Sequence, residues 1–166
     1  MTSAGAVKGN KCQHRDLLIV GLNIFFKTIF LTMKDSQFEE ITHKIIGSAM
    51  RVHRELGNGF QEVIYQRALE IEFQYNGLLY GREVEMPIYY RNEYIGTRRV
   101  DFLVNDYITV ELKALVKLED VHLAQAKNYL EAFKLEVGLL LNFGAGSLQF
   151  KRLINKVRSE SSMKKL

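Results

Sequence analysis

A chain of 166 residues that is 47% apolar and 25% charged has room for one domain with a proper core, which excludes a disordered polypeptide. The single cysteine, Cys12, excludes an internal disulfide framework and a cysteine-rich zinc site, and it fits a reducing cytoplasm. Lys8, Lys11, Arg15 and Lys27 against Asp16 carry all but one unit of the net charge of +4. The rest of the chain is therefore near neutral, and bulk charge does not mark it as a nucleic-acid binder.

Residues 1–33 differ in character from the rest of the chain. Residues 17–30 form an apolar run broken by Gly21, Asn23, Lys27 and Thr28. The run is shorter than the ~20 residues a membrane span needs, and no small-residue cleavage site comes after it. Met33 stands where globular patterning begins. Residues 1–33 are therefore expected to be an N-terminal extension or misassigned start, with a membrane contact or export segment at 17–30 as the alternative. Residues 34–157 are expected to form the folded domain, and 158–166 a polar tail.

Ser36-Gln37-Phe38-Glu39 has the pattern of a capping box and predicts a helix opening there. Phe38, Ile41, Ile45, Ala49, Val52 and Leu56 recur at helical spacing as a core-facing stripe, and Gly57-Asn58-Gly59 ends it. His43 and His53 lack a second metal-type partner at ligand spacing and read as surface or satisfied core histidines. A second helix is predicted over residues 61–75, with one stripe of Ile64, Ala68, Ile71 and Tyr75 and another of Tyr65, Leu69 and Phe73. Two apolar stripes predict a helix packed between layers. Glu62 falls in its first turn, where the helix dipole by itself favours a carboxylate.

An extended run comes next, over residues 82–90, with Pro87 demoting it to an edge or bulged position. Arg91-Asn92-Glu93 turns the chain back. Val100, Phe102 and Val104 then alternate with Arg99, Asp101 and Leu103, and Ile108, Val110 and Leu112 alternate with Thr109, Glu111 and Lys113. A period of two across a turn at Asn105-Asp106 predicts a hairpin. Its apolar sets coincide only if Val104 faces Ile108 and Phe102 faces Val110, which brings Asp101 level with Glu111. A tight two-residue loop would slip that register and set Asp101 beside Val110. The polar face has two readings: a solvated cross-strand ion pair, or a metal site with carboxylates as hard oxygen ligands and Lys113 steadying nearby charge.

A helix is predicted from about residue 119 to 134, with Gln125 and Tyr129 four apart on a face beside its apolar stripe. The continuous apolar run at 138–143 predicts a strand buried on both sides, and residues 148–154 a last strand. Helix, helix, three antiparallel strands, helix, strand, strand make an α/β fold: a mixed sheet flanked by helices.

That order, with aspartate on one hairpin strand and Glu-x-Lys on the next, resembles the core of the PD-(D/E)XK nuclease superfamily (restriction-endonuclease-like). Gly59-Phe60-Gln61-Glu62-Val63-Ile64-Tyr65 reads as G-x-x-E-x-x-Y and resembles the naming motif of the GxxExxY proteins within it. Arg99-Val100-Asp101, Glu111-Leu112-Lys113-Ala114, Gln125-Ala126-Lys127-Asn128-Tyr129 and Leu141-Asn142-Phe143-Gly144 come in that family's order. The resemblance covers about residues 38–155. It implies a Mg²⁺- or Mn²⁺-dependent nuclease, with Asp101, Glu111 and the Leu112 carbonyl as metal ligands and Lys113 as the active-site lysine. It further implies that Glu62 approaches from its helix and that Gln125 and Tyr129 lie beside the site. Val100 replaces the proline of the superfamily name, which is not a ligand. The partner implied is nucleic acid, DNA rather than RNA, with no small-molecule cofactor. The alternative is a catalytically silent nucleic-acid-binding or interaction module of the same fold, which near-neutral charge favours.

Overall fold

The computed structural model describes residues 11–155; the first ten residues and 156–166, with the polar tail among them, lie outside the described residues. In chain order the elements are α1 (Lys11–Leu56), α2 (Glu62–Tyr75), β1 (Tyr80–Tyr90), β2 (Glu93–Val104), β3 (Ile108–Lys113), α3 (Asp120–Phe133), β4 (Val137–Asn142) and β5 (Gln149–Ile154). The chain divides into two compact units between Glu40 and Ile41.

In the first unit α1 runs without a break through the point where the sequence predicts a helix start. Ser36 Oγ donates back to the Met33 carbonyl at 3.3 Å, and Thr32 Oγ1 to the Thr28 carbonyl at 2.9 Å. A serine whose hydroxyl serves the preceding turn is inside a helix, not capping one. No helix among the described residues is long and apolar enough to cross a membrane.

In the second unit, Ile41, Ile45, Ala49 and Val52 form the buried stripe of α1's last turns. Gly57 ends the helix in the left-handed region at φ 68°, its N–H donating to the His53 carbonyl at 2.8 Å. His43 is exposed, and His53 Nε2 lies 3.0 Å from the Ala145 carbonyl oxygen, so neither stands among ligands. Only one of the two stripes of α2 is covered. Tyr65, Leu69 and Phe73 are fully buried, whereas Ile64, Ile71 and Tyr75 are exposed. The helix forms an outer layer and does not lie between two.

The five strands stand in the order β1-β2-β3-β4-β5. All neighbours are antiparallel except β3 and β4, which are parallel, with α3 as the crossover between them. Pro87 lies on the edge strand, where a missing N–H costs least. Arg91 and Asn92, both at positive φ, close a two-residue hairpin loop between β1 and β2. The β2–β3 connection is three residues, Asn105 to Tyr107, so the register is Val104 to Ile108 and Phe102 to Val110, the one that apolar alternation demands. Residues Ile108 to Leu112 and all of β4 are buried, the pattern of strands covered on both faces.

The chain leaving Lys113 is pinned from β4. Asn142, fully buried, accepts the Leu115 N–H at 2.9 Å and the Gly144 N–H at 3.2 Å, and donates to the Leu115 carbonyl at 2.8 Å. A Cβ on Gly144 would stand 2.4 Å from the Leu115 nitrogen, so the backbones approach closer than any side chain permits. Asn142→Leu would orphan three backbone groups at about 1–3 kcal/mol each. Urea unfolding is expected to show a loss of at least about 3 kcal/mol; a change below about 1 kcal/mol would mean the Asn142 contacts do not hold this loop.

Candidate functional site

The pairing of β2 with β3 ends at Phe102–Val110, and the next residues in register are Asp101 and Glu111. There the strands part. Asp101 Oδ2 takes the Leu112 N–H at 2.7 Å in place of a strand partner, and Gln66 of α2 donates to Asp101 Oδ1 at 3.3 Å. Glu111 is 8% exposed, and its Oε1 is buried without a hydrogen-bond partner. Lys113 Nζ stands 4.0 Å from Glu111 Oε2, on the same face of β3 two residues on.

Glu62 approaches from the first turn of α2, set there by the loop before it. Gly59 sits at φ 107°, a conformation that glycine adopts freely. Tyr65, fully buried, donates its hydroxyl to the Gly57 carbonyl at 2.9 Å and accepts the Phe60 N–H at 3.2 Å. Its ring stacks on Phe143 with centroids 4.7 Å apart. The glycine and tyrosine of G-x-x-E-x-x-Y thus shape the loop that carries the glutamate.

Burial governs the electrostatics. Glu111 is pushed up to about 8, chiefly by burial and then by Asp101, with Lys113 pulling the other way. Burial also raises Asp101, against the Leu112 N–H, which favours its charged form. Burial raises Glu62 as well; Lys113 opposes the shift and Asp101 adds to it. Asp101, Glu111, Glu62 and Lys113 are therefore within electrostatic reach of one another. Among the described residues, though, no three His, Cys, Asp or Glu side chains close into a set that would hold a metal ion. Both Asp101 oxygens face internal donors.

Gln125 and Tyr129 form a separate group. Gln125 Nε2 donates to Tyr129 Oη at 2.6 Å, and Arg98 Nε donates to the same hydroxyl. No hydrogen bond among the described residues joins either to Lys113. Arg98 links the two groups, because its charge reaches Glu111.

Three residues near the site escape a reading of the sequence. Gln66 comes four residues after Glu62, so a shared helix face was the available signal. Arg98 stands one residue outside the expected hairpin core. Glu83 has no sequence signal at all: the register of Arg82–Phe102 and Val84–Val100 sets it across from Asp101, at φ 53° and out of the ladder. It raises Asp101 further and pairs with Arg99 at 3.6 Å.

The family model of the PD-(D/E)XK nuclease superfamily matches residues 39–153. The chain belongs to that superfamily. A mixed five-stranded sheet flanked by helices is consistent with its fold. No curated protein matches the chain significantly. A solved structure titled "Crystal structure of SSO0001" is similar at 20% identity and a TM-score of 0.47, over 57% of this chain and 50% of that one. This chain thus spans about half the length of that solved chain.

Glu111 yields a pH dependence with a definite sign. Its folded value of about 8 lies above the ordinary 4.5, so between the two the folded state holds a proton the unfolded chain releases. Stability from this group is full below about 4.5 and is lost as pH rises towards about 8, by at most about 1.4 kcal/mol per pH unit. Denaturant unfolding of the metal-free protein should show that fall, and Glu111→Gln should flatten it. Stability rising over the same range in wild type would contradict the assignment.

Proposed function

We propose that this chain is a divalent-metal-dependent nuclease hydrolysing phosphodiester bonds of nucleic acid. The observation that carries the reading is the orphaned, buried Oε1 of Glu111 beside a second carboxylate, Asp101, also raised by burial. A cation is what such a pair lacks. Asp101, Glu111 and the Leu112 carbonyl would hold Mg²⁺ or Mn²⁺. An all-oxygen set with few protein donors suits a hard cation that keeps several waters. When bound, that ion supplies charge neutralisation at a phosphate and acidifies a water.

The remaining chemistry belongs to side chains. Lys113, four-fifths buried beside Glu111, holds an ammonium where it can grip a phosphate oxygen or orient the attacking water. Gln66 and the Leu112 amide fix the Asp101 carboxylate in one orientation. Glu62 adds negative charge from the helix side, and Gln125 with Tyr129 contacts the substrate backbone. The G-x-x-E-x-x-Y motif supports placement among the GxxExxY proteins, with DNA as the substrate. The single cysteine supports a cytoplasmic setting. A second reading, a binding module of this fold without turnover, is favoured by one observation: both Asp101 oxygens already face internal donors.

The two readings part on turnover. Single-stranded and duplex DNA and RNA, incubated with Mg²⁺ or Mn²⁺, should be cleaved by wild type. Asp101→Asn should weaken metal binding by calorimetry and abolish cleavage. Lys113→Ala should retain the metal and lose about 10²–10³ in rate, the scale for removing one charge-stabilising donor. If wild type binds neither ion at millimolar levels and cuts nothing, the nuclease reading is wrong.

We also propose residues 34–157 as the nuclease-like domain, 1–33 as an extension and 158–166 as a tail. Support for a separate N-terminal part comes from the division of compact units, which falls at Glu40, seven residues beyond that boundary. Deletion of residues 1–32 should leave the thermal midpoint within about 2 °C, less than the shift a 1 kcal/mol change produces. A larger fall would place those residues in the core.

A further inference from the structure

The β1–β2 hairpin is longer than the candidate site needs. Its strands are 11 and 12 residues, whereas β3 is 6 and pairs only with the end of β2 from Phe102. The portion beyond leans towards α3, and between them runs an open groove lined by Ile88, Arg98, Val121, Gln125, Asn128 and Tyr129. The groove takes in the Gln125–Tyr129 pair and reaches Ile88 on β1, two residues short of Tyr90 at the end of the strand.

Arg98 is the charge in that groove. Its guanidinium lies over the Tyr129 ring, 5.1 Å from the centroid, with Nε committed to the Tyr129 hydroxyl. No carboxylate pairs with it among the described residues. A guanidinium held at one nitrogen keeps its other donors in a fixed fork, the geometry that takes a phosphate. Arg98 comes three residues before Asp101 on β2, and the groove takes in Gln125 and Tyr129, so a phosphate bound there would lie along the chain from one at the candidate site.

Register and alternation extend the line outward. Arg98 pairs across from Met86, and Ile88 follows on that face of β1; the register then shifts between Ile88 and Tyr89, and Tyr90 ends the strand at the hairpin tip. Tyr90 is 62% exposed, about 13 Å along the strand from the level of Arg98 at ~3.3 Å per residue. Arg91 stands over the Tyr90 ring at 5.6 Å, so the tip carries a phenol ring with a guanidinium stacked on it. A basic residue on the backbone and an aromatic ring at the height of the bases are the two elements of single-strand binding. In a duplex the bases stack on each other and leave such a ring nothing to engage.

We propose that the groove between the β1–β2 hairpin and α3 binds a single-stranded segment of nucleic acid flanking the scissile phosphate. Arg98 grips its backbone, and Tyr90 with Arg91 stacks on a base. The inference rests on the nuclease reading for its direction along the chain, but its binding test does not need turnover.

Fluorescence anisotropy in EDTA, with a labelled single strand and the matching duplex, measures it on the full chain. Wild type should hold the single strand at least about tenfold more tightly. Tyr90→Ala should weaken single-strand binding about tenfold and leave duplex binding unmoved, while Tyr90→Phe, which keeps the ring, should bind as wild type. Arg98→Ala should lower the dependence of log affinity on log salt by about 0.7, one phosphate contact on a single strand, and Arg98→Lys should retain it. Circular dichroism melts confirm that each variant is folded. Equal affinity of wild type for both substrates, or unaltered single-strand binding by folded Tyr90→Ala and Arg98→Ala, overturns the proposal. Cleavage by wild type alongside unaltered binding by the variants would sink the groove and spare the nuclease. Single-strand binding that the variants lose, without any cleavage by wild type, would do the reverse. Binding to neither substrate overturns the groove.

Discussion

The structure turns on one unfavourable placement, a carboxylate inside a buried strand. Ile108, Val110 and Leu112 are fully buried, and β3 has a strand on either side. Glu111 shares that burial, and its Oε1 has nothing to bond to. An isolated ionised carboxylate in such surroundings costs several kcal/mol, so it keeps a proton, as its value of about 8 records, unless something positive stands beside it. Lys113 meets that need only partly, at 4.0 Å from the other oxygen. Stability alone would be better served by an apolar residue at this position. The fold tolerates Glu111 because β4 pairs with β3 along its whole length.

That pairing depends on the connections around the site. Asn142 and Gly144 lock the chain leaving Lys113, and Phe143 donates its N–H to the Lys113 carbonyl at 2.8 Å. Phe143 in turn stacks on Tyr65, which holds the loop before Glu62. The Leu141-Asn142-Phe143-Gly144 and G-x-x-E-x-x-Y segments, far apart in sequence, therefore meet at one ring contact and locate the two ends of the polar cluster together. The side chains that do this are buried and well partnered, whereas in the polar cluster Glu111 Oε1 is buried without a hydrogen-bond partner.

Alternation made the β2–β3 register legible in advance, since a slip by one residue would have turned Val100, Phe102 and Val104 off the buried face. The crossover through α3 and the burial of β4 were equally legible from an apolar run too short for a helix. Residues joined by periodicity, Asp101 with Glu111 and Lys113, could be placed near one another from the sequence. Local signals failed where tertiary context overrode them. Ser36 has a capping pattern, but its hydroxyl bonds back within a continuous helix. Ile64, Ile71 and Tyr75 have core periodicity and stay exposed, because apolar spacing says which residues share a face, not whether another layer covers it. Glu83 could not be read, since a left-handed residue inside a strand breaks the alternation on which any such reading relies.

The same interaction that ends the β2–β3 ladder also assembles the polar cluster. Beyond Phe102–Val110 the Leu112 amide would be an unpaired buried donor, and Asp101 satisfies it with a side chain where a strand would have used a carbonyl. Substituting a side chain for backbone pairing lets β2 diverge, which frees its outer half to form the long hairpin and leaves a gap at the end of β3. Gln66 and Glu62 of α2 reach that gap, Glu83 faces it from β1, and Arg98 flanks it on the side of α3. Asp101 thus has a structural duty independent of any ligand. Asp101→Asn can present its side-chain oxygen to the Leu112 N–H as before, whereas Asp101→Ala leaves that amide with no acceptor. Any experiment on the chemistry of this position has to use the asparagine, because the alanine would lose the opening of the sheet along with the charge.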